Sequence, residues 1–369
     1  DVMGVEPRFE HRFRTAYVAH TLDFGGRLLA ERATYEQRNG GYAETYVGSL
    51  EFAERHSGKA AAAYVQDRIA FTDRLLVTPG IRFEHLVFER VVLRQPTTGD
   101  VFLPGEKTVT GVIPGIGIVY GTKQVNVFGG MHRGFAPPRV TTSISARGQT
   151  SDVGADESMN YEAGLRGQPA RWLRGEATGF LSNFDNQVII QTAVGSENVL
   201  TDAGATNIIG AESAFVLGID RVLDLPAVVE LGARYTFSRS TFRYGPNAGN
   251  LLPYAPQHSL STNLDVEHRS GVGGQVAYAF IGPQFADAEN TRLEDVTGRI
   301  GALEPRHIVD ATVHWRHAPS GLTFRLTAKN LLDSTYVIAR RPEGIFPGPY
   351  RQILLGVRWE WESRRRGND

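Results

Sequence analysis

The chain contains no cysteine, so neither a disulfide nor a thiolate metal site is open to it. Nor does it have an apolar run near the ~18 residues that a spanning helix needs, which excludes a helical membrane protein. Charge of one sign is not in excess: 39 Lys and Arg stand against 40 Asp and Glu, and that balance gives no reason to expect nucleic acid. Catalytic signatures are missing as well. The ten histidines are scattered without a His-Glu-x-x-His spacing, and His314 and His317, three apart on a strand, point to opposite faces. Asp287, Glu289 and Asn290 lack the glycine and closing glutamate of a calcium loop. Pro114-Gly115-Ile116-Gly117 is followed by no helix and makes no phosphate loop. With no Gly-x-Ser-x-Gly either, the sequence offers no enzyme.

What the chain does have is alternation, with 41 glycines and 10% aromatics. From Leu322, the residues Leu322, Phe324, Leu326 and Ala328 share one face and Thr323, Arg325, Thr327 and Lys329 the other. Arg351 to Trp361 repeats this, with Ile353, Leu355, Val357, Trp359 and Trp361 in line. Val229, Leu231, Ala233, Tyr235 and Phe237 oppose Glu230, Gly232, Arg234 and Thr236; Val77, Pro79, Ile81, Phe83, His85 and Val87 oppose Arg82 and Glu84. Turn chemistry marks reversals at Asp23-Phe24-Gly25-Gly26, Asn39-Gly40-Gly41, Thr72-Asp73-Arg74, Gly121-Thr122-Lys123 and Ala318-Pro319-Ser320-Gly321. Tyr42–Glu54 and Lys59–Phe71 read as a pair of strands, and Gln95–Gly105, 133–156, 184–205, 243–256, 282–305 and 340–349 as loops.

Tight turns thus alternate with long loops between about sixteen strands of roughly ten residues, the length a tilted strand needs to cross a bilayer. Backbone amides in hydrocarbon must be paired, so such a sheet has to close on itself. The pattern predicts an all-β fold, a transmembrane antiparallel β-barrel with lipid on one face and a water-filled or plugged lumen on the other.

Three segments carry a family resemblance. Asn330-Leu331-Leu332-Asp333-Ser334-Thr335-Tyr336 with Gly348-Pro349-Tyr350-Arg351 and the terminal aromatic strand resembles the closing signature of TonB-dependent outer-membrane receptors. His132-Arg133-Gly134-Phe135-Ala136-Pro137-Pro138 and Tyr161-Glu162-Ala163-Gly164-Leu165-Arg166 resemble two further barrel motifs of that family. Within it, Gly4–Phe9, Thr78–His85, Asn183–Gln187, Asn250–Pro253, Gln284–Thr291 and Thr297–Ile300 are most similar to the branch that takes up ferric citrate.

The resemblance implies an outer-membrane location in a Gram-negative-type bacterium, a ferric citrate or related siderophore ligand, no resident cofactor, and energy coupling through TonB-ExbB-ExbD. The family barrel has ~22 strands behind an N-terminal plug. The landmarks begin well inside that barrel, so residues 1–361 are expected to be its C-terminal portion without plug, TonB box or early strands, and 362–369 a polar basic tail. Tyr350 stands where the family more often has proline, and the tail extends past the usual aromatic end. By position, Arg55 falls near a ligand-contacting arginine beside a turn at 54–58, Gln191 with Thr192 near a contacting glutamine, and Arg340 and Arg341 near a contact of the last loop. Arginines and amides are the donors that a small anionic chelate requires. Two other classes fit parts of the pattern. A passive porin-like channel predicts an inward-folded constriction loop, and a soluble β-rich adhesin or binding module predicts extraction without detergent, against which the aromatic faces of 228–238 and 351–361 argue.

Overall fold

The structure is a computed structural model describing residues 1–361 except 43–44, 152–153, 186–187, 193–197, 203 and 342–343; side chains of 186–203 also fall outside the description. Its frame is one antiparallel sheet. β1 (Val2–Val5) and β2 (Arg8–Thr15) share the first position, end to end along β3 (Val18–Asn39). Then follow β4 (Ser49–Ala70), β5 (Leu75–Gln95), β6 (Gly99–Gly121), β7 (Val125–Ala136), β8 (Asp156–Ala170) and β9 (Leu173–Phe184). β10 (Val188–Thr192) and β11 (Asn198–Asp202) form a separate hairpin within the next loop. The ladder resumes with β12 (Thr206–Gly218), β13 (Ala227–Phe242), β14 (His258–His268) and β15 (Val272–Ile281). After the two-residue pair β16 (Gln284–Phe285) and β17 (Ala302–Leu303) come β18 (Arg306–His317) and β19 (Leu322–Lys329). The loop hairpin β20 (Val337–Arg341) and β21 (Gly344–Pro347) precedes the last strand, β22 (Gln352–Trp359). Among the described residues no ladder joins β22 to β1 or β2, so the wall is curved but has two open edges.

The register carries the predicted two faces around the whole wall. Trp359, Val357, Leu355 and Ile353 lie opposite Leu322, Phe324, Leu326 and Ala328, which lie opposite Trp315, Val313 and Ala311 on the far side. The same face continues through Val276, Leu264, Leu231, Phe215, Leu165, Val127, Ile118 and Val77. No helix among the described residues is long and apolar enough to cross a membrane, whereas these strands supply a mostly apolar exterior. Aromatic residues mark its two borders. Tyr120, Trp172, Trp315 and Trp359 sit toward the short turns, and Tyr235, Phe237, Tyr278 and Phe280 toward the long loops. At the upper border Tyr235 Oη is hydrogen-bonded to His258 Nδ1 at 2.8 Å, and Tyr278 Oη to His307 Nδ1 at 2.7 Å, so each imidazole is held by a phenol.

Several expected boundaries are corrected. Asp23-Phe24-Gly25-Gly26 is no turn but the middle of β3; the chain reverses at Ala16-Tyr17, with Ala16 at φ 54°. Gly25 is needed there for close approach, since a Cβ would stand 2.6 Å from the Pro7 carbonyl oxygen and 2.8 Å from the Tyr64 ring. The turn expected at 54–58 does not exist either: β4 runs through it, with a bulge between Ala53 and Glu54. The supposed loop 95–105 shrinks to Pro96-Thr97-Thr98, because β5 and β6 pair almost to their tips. The final strand stops at Trp359 and leaves Trp361 beyond it; residues 362–369, read as a polar tail, lie outside the described residues.

Candidate functional site

The face opposite the apolar exterior carries most of the polar side chains, as the alternation requires. On β3, β4 and β5 it presents Asp23, Tyr64, Gln66, Arg82 and Glu84. Arg82 Nε donates to Glu84 Oε1 at 2.6 Å and its guanidinium stands over the Tyr64 ring at 6.0 Å, while Gln66 Nε2 donates to Asp23 Oδ2 at 3.3 Å. Tyr64, Gln66 and Arg82 line, with Arg8 and His132, an inner cleft of about 440 Å³. A second, of about 640 Å³, lies toward the short turns between Arg166, Arg174, Glu176, Glu230, Arg234 and Asp265. Most of these charges have partners: Glu230 takes Arg221 at 3.0 Å and Arg174 at 3.7 Å, and Arg166 stacks over Phe128 at 5.0 Å. Higher on the wall the inward positions of β8, β9, β13 and β14 change to hydroxyls, with Ser158, Ser182, Ser238, Ser240 and Ser261.

The segment between β7 and β8 folds into this interior. Beyond the Gly115–His132 pair, β7 leaves β6 and turns inward, placing Phe135 over Gly111, where a Cβ would be 2.7 Å from the ring. Phe135 joins Phe88, Val109, Ala155, Leu86 and Val140 in a small core on the inner face. The short helix α1 (Val140–Ser143) follows, and three long side chains from the wall fix the loop after it. Arg90 Nη1 donates to the Ile144 carbonyl at 2.5 Å, Lys107 Nζ to the Ser151 carbonyl at 2.7 Å, and Gln95 Nε2 to the Ala146 carbonyl at 2.7 Å. Arg90 is in turn paired with Glu54, both almost fully buried. Nothing in the polar composition of 133–156 distinguished such a tethered loop from a free one; the missed signal is Arg90, a cation amid the apolar upper part of β5.

The later loops form one packed cap. Asn250 Nδ2 donates to the Ala288 carbonyl at 2.9 Å, and Asn290, in the left-handed region at φ 57°, exchanges two 2.8 Å bonds with the backbone of Leu251. Phe242, Leu252 and Ala288 close over each other beneath them. Asn330, also left-handed at φ 48°, is 3% exposed. Its Nδ2 donates to the carbonyls of Ser334 at 2.9 Å and Pro349 at 3.1 Å, while its Oδ1 accepts from Ser334 N–H at 3.0 Å. Asp333 Oδ1 accepts the Arg351 N–H at 3.0 Å, and Gly348 is pressed so closely on the Tyr336 ring that no side chain fits. The closing sequence signature is therefore a knot that ties both ends of the last loop together.

This frame is shared with known proteins. Residues 3–331 match the family described as TonB dependent receptor-like, beta-barrel. The chain belongs to that family. Its relatives include the ferrienterobactin receptor of Escherichia coli (strain K12), 21% identical over 297 residues covering 75% of this chain and 37% of that receptor. Among solved structures, the ferric citrate transporter FecA in its unliganded form superposes with a TM-score of 0.81 at 24% identity, covering 96% of this chain and 53% of that one. The E. coli K12 ferric-catecholate import receptor Fiu, in its closed form, gives 0.75 at 19%, covering 96% and 54%. The chain thus spans little more than a third of that curated relative and about half of each of these structures. The TonB-dependent receptor family consists of transporters and receptors rather than enzymes.

In this member of the TonB-dependent family, those residues singled out from sequence whose side chains are described lie in two places, Arg55 on β4 and Arg340 with Arg341 on β20. Arg55 lies between Thr34 and Val91 on β4, sharing its face with Lys59, Ala61, Ala63 and Val65; it turns away from Glu54 and His56 and so away from the lumen. The expectation rested on a turn that β4 replaces with continuous strand. Arg340 is corrected as well: it is 3% exposed, and its guanidinium donates to the carbonyls of Gly298 at 2.6 Å and Ala302 at 3.3 Å and pairs with Glu294. Its own carbonyl accepts from Tyr254 Oη. Arg340 thus packs three loop segments against one another. Arg341 sits next to it on β20, half-buried, in register with Gly344. Gln191 and Thr192 are on β10 across from Val199 and Asn198, and their side chains fall outside the described residues. Among the described residues no group of three or more acidic or histidine side chains is placed to hold a metal.

Proposed function

We propose that the protein containing this barrel wall is an outer-membrane receptor that imports a ferric chelate, ferric citrate or a related siderophore, under the drive of TonB-ExbB-ExbD. The observation that carries the reading is the match of the strand ladder to the FecA barrel at a TM-score of 0.81, joined to an inner face that carries clefts lined by charged and polar side chains. A small iron chelate that presents carboxylates needs N–H and O–H donors in a site from which water is largely excluded. We assign the donors of such a site to Gln191 and Thr192 of the β10–β11 hairpin and Arg341 of β20. Energy coupling requires a plug in the lumen and a TonB-contacting segment, both assigned to the rest of the receptor. Outer-membrane lipid would surround the apolar face.

One observation favours a second reading. The inward fold of the 137–151 segment is what a passive channel uses as a constriction. The two readings separate in cells lacking their own ferric receptors and supplied with the full-length gene. Uptake of radiolabelled ferric citrate that saturates and disappears on deletion of TonB supports the transporter. TonB-independent, non-saturating entry supports the channel, and uptake of a ferric catecholate in preference to citrate would reject the citrate assignment alone.

A further inference from the structure

The apolar exterior is not uniform. Toward the long loops β13 and β15 present bulky rings, Tyr235 and Phe237 on the first and Tyr278 and Phe280 on the second. On β1, β3, β4 and β5 the same height holds a groove of about 510 Å³, with Met3, Val5 and Leu28 as one wall, Val87 as the other, and Ala30 and Ala61 as its floor. The floor is low because residues 60–63 are four alanines in succession, two of which face outward. At its upper end stand two basic groups, Lys59 and His85. Leu75 lies opposite Tyr120 at the lower border, and ten residues of tilted strand separate it from His85. That distance is about 25 Å, the height of the apolar band, so both basic groups lie at the level of lipid headgroups.

Lys59 is exposed and makes no ion pair among the described residues. The acids on its face, Glu89 and Glu106, are higher and lie directly opposite each other. His85 is held through Nδ1 by Thr110 Oγ1 at 3.0 Å, which leaves Nε2 pointing elsewhere.

We propose that this groove is a binding site for one phosphate-bearing lipid, its acyl chain laid along Ala61 and Ala30 and its phosphate held by Lys59 with His85. An acyl chain fills a channel that flanking rings elsewhere would block, and an ammonium at the interface favours an anionic head over a zwitterionic one. The groove is continuous with the lipid-facing band and lies on the wall opposite the lumen, so it is independent of the transported ligand.

The test uses the whole receptor in phosphatidylcholine bilayers, with spin-labelled phosphatidylglycerol or phosphatidylcholine as probes. The immobilised fraction is expected to favour phosphatidylglycerol, and Lys59→Gln to reduce that preference by about fivefold. Ala61→Phe, which fills the groove without touching the charge, is expected to abolish the preference, whereas Ala233→Phe on β13 leaves it intact. All variants should keep the heat-modifiable mobility of a folded barrel and unchanged ferric chelate binding. Equal retention of the two probes, or a preference that survives both Lys59→Gln and Ala61→Phe, overturns the proposal. So does displacement of the lipid by millimolar inorganic phosphate, which would make the site one for the free anion.

Discussion

Arg90 and Glu54 meet across β4 and β5 as a buried ion pair, Nη2 to Oε2 at 2.5 Å and Nε to Oε2 at 2.7 Å, and the same guanidinium reaches the Ile144 carbonyl. The pair therefore joins the barrel wall to the loop folded inside it. Arg90→Met removes one charge and strands the other, a change that costs about 3–5 kcal/mol for a buried pair. Amides of 143–151 should then lose protection in hydrogen exchange while β8 to β15 keep theirs. The double variant Arg90→Met, Glu54→Gln should recover a large part of the loss, because no uncompensated charge remains.

The knot at Asn330 makes a second prediction. Asn330→Ala leaves the carbonyls of Ser334 and Pro349 without donors in a buried setting, at about 1–3 kcal/mol for each group that finds no replacement. Asn330→Asp keeps the shape and φ tolerance but replaces the donor with an acceptor facing two carbonyls, so it should be at least as harmful. Both are read from the temperature at which the whole receptor loses its heat-modifiable mobility.

Gly111 and Phe135 give a steric test. A methyl group at Gly111 must displace a ring 2.7 Å away, an overpacking worth about 1–3 kcal/mol. Gly111→Ala should weaken the inward fold of β7, and adding Phe135→Leu should relieve much of the strain. Additive effects in the double-mutant cycle would contradict the contact.

Asp295, in the loop before β18, has its carboxyl held below the ordinary value of 3.8, first by the Thr297 hydroxyl and then by the backbone N–H groups of Ile300, Arg299 and Thr297. A depressed folded value means that the carboxylate stabilises the loop fully above its ordinary range and stops doing so as pH falls through the lowered value. Protection of the Arg299 and Ile300 amides should hold from neutral pH down to about 4 and decline only below that. Asp295→Asn at neutral pH should resemble the acid state; protection that fades already near pH 6 would contradict this.

Much of the fold was legible because a period of two is a local signal. The outward sets on β5, β13, β19 and β22 are the ones the alternation named. Glycine misled where it stood inside a strand: Gly25 is there to let Pro7 and Tyr64 approach, not to turn the chain, and nothing local tells those uses apart. The surroundings of Arg55 and Arg340 were not legible for a related reason. A chain position near a loop says nothing about the face on which a side chain leaves the strand, or about a buried acceptor set such as Gly298, Ala302 and Glu294 waiting for it. The motifs carrying the resemblance proved informative in another way, since Asn330, Asn250 and Asn290 each hold loop backbone.

The account depends most on the assignment of alternate residues to lipid and lumen. The chain has no cysteine, so single thiols can be placed along β13 from Val229 to Phe237 in the whole receptor in liposomes. Thiols replacing Glu230, Arg234 and Thr236 should react with a water-soluble maleimide, and those replacing Val229, Leu231, Ala233 and Tyr235 should resist it while a spin label there is broadened by oxygen dissolved in the lipid. Uniform reactivity along the strand, or the opposite alternation, would contradict it.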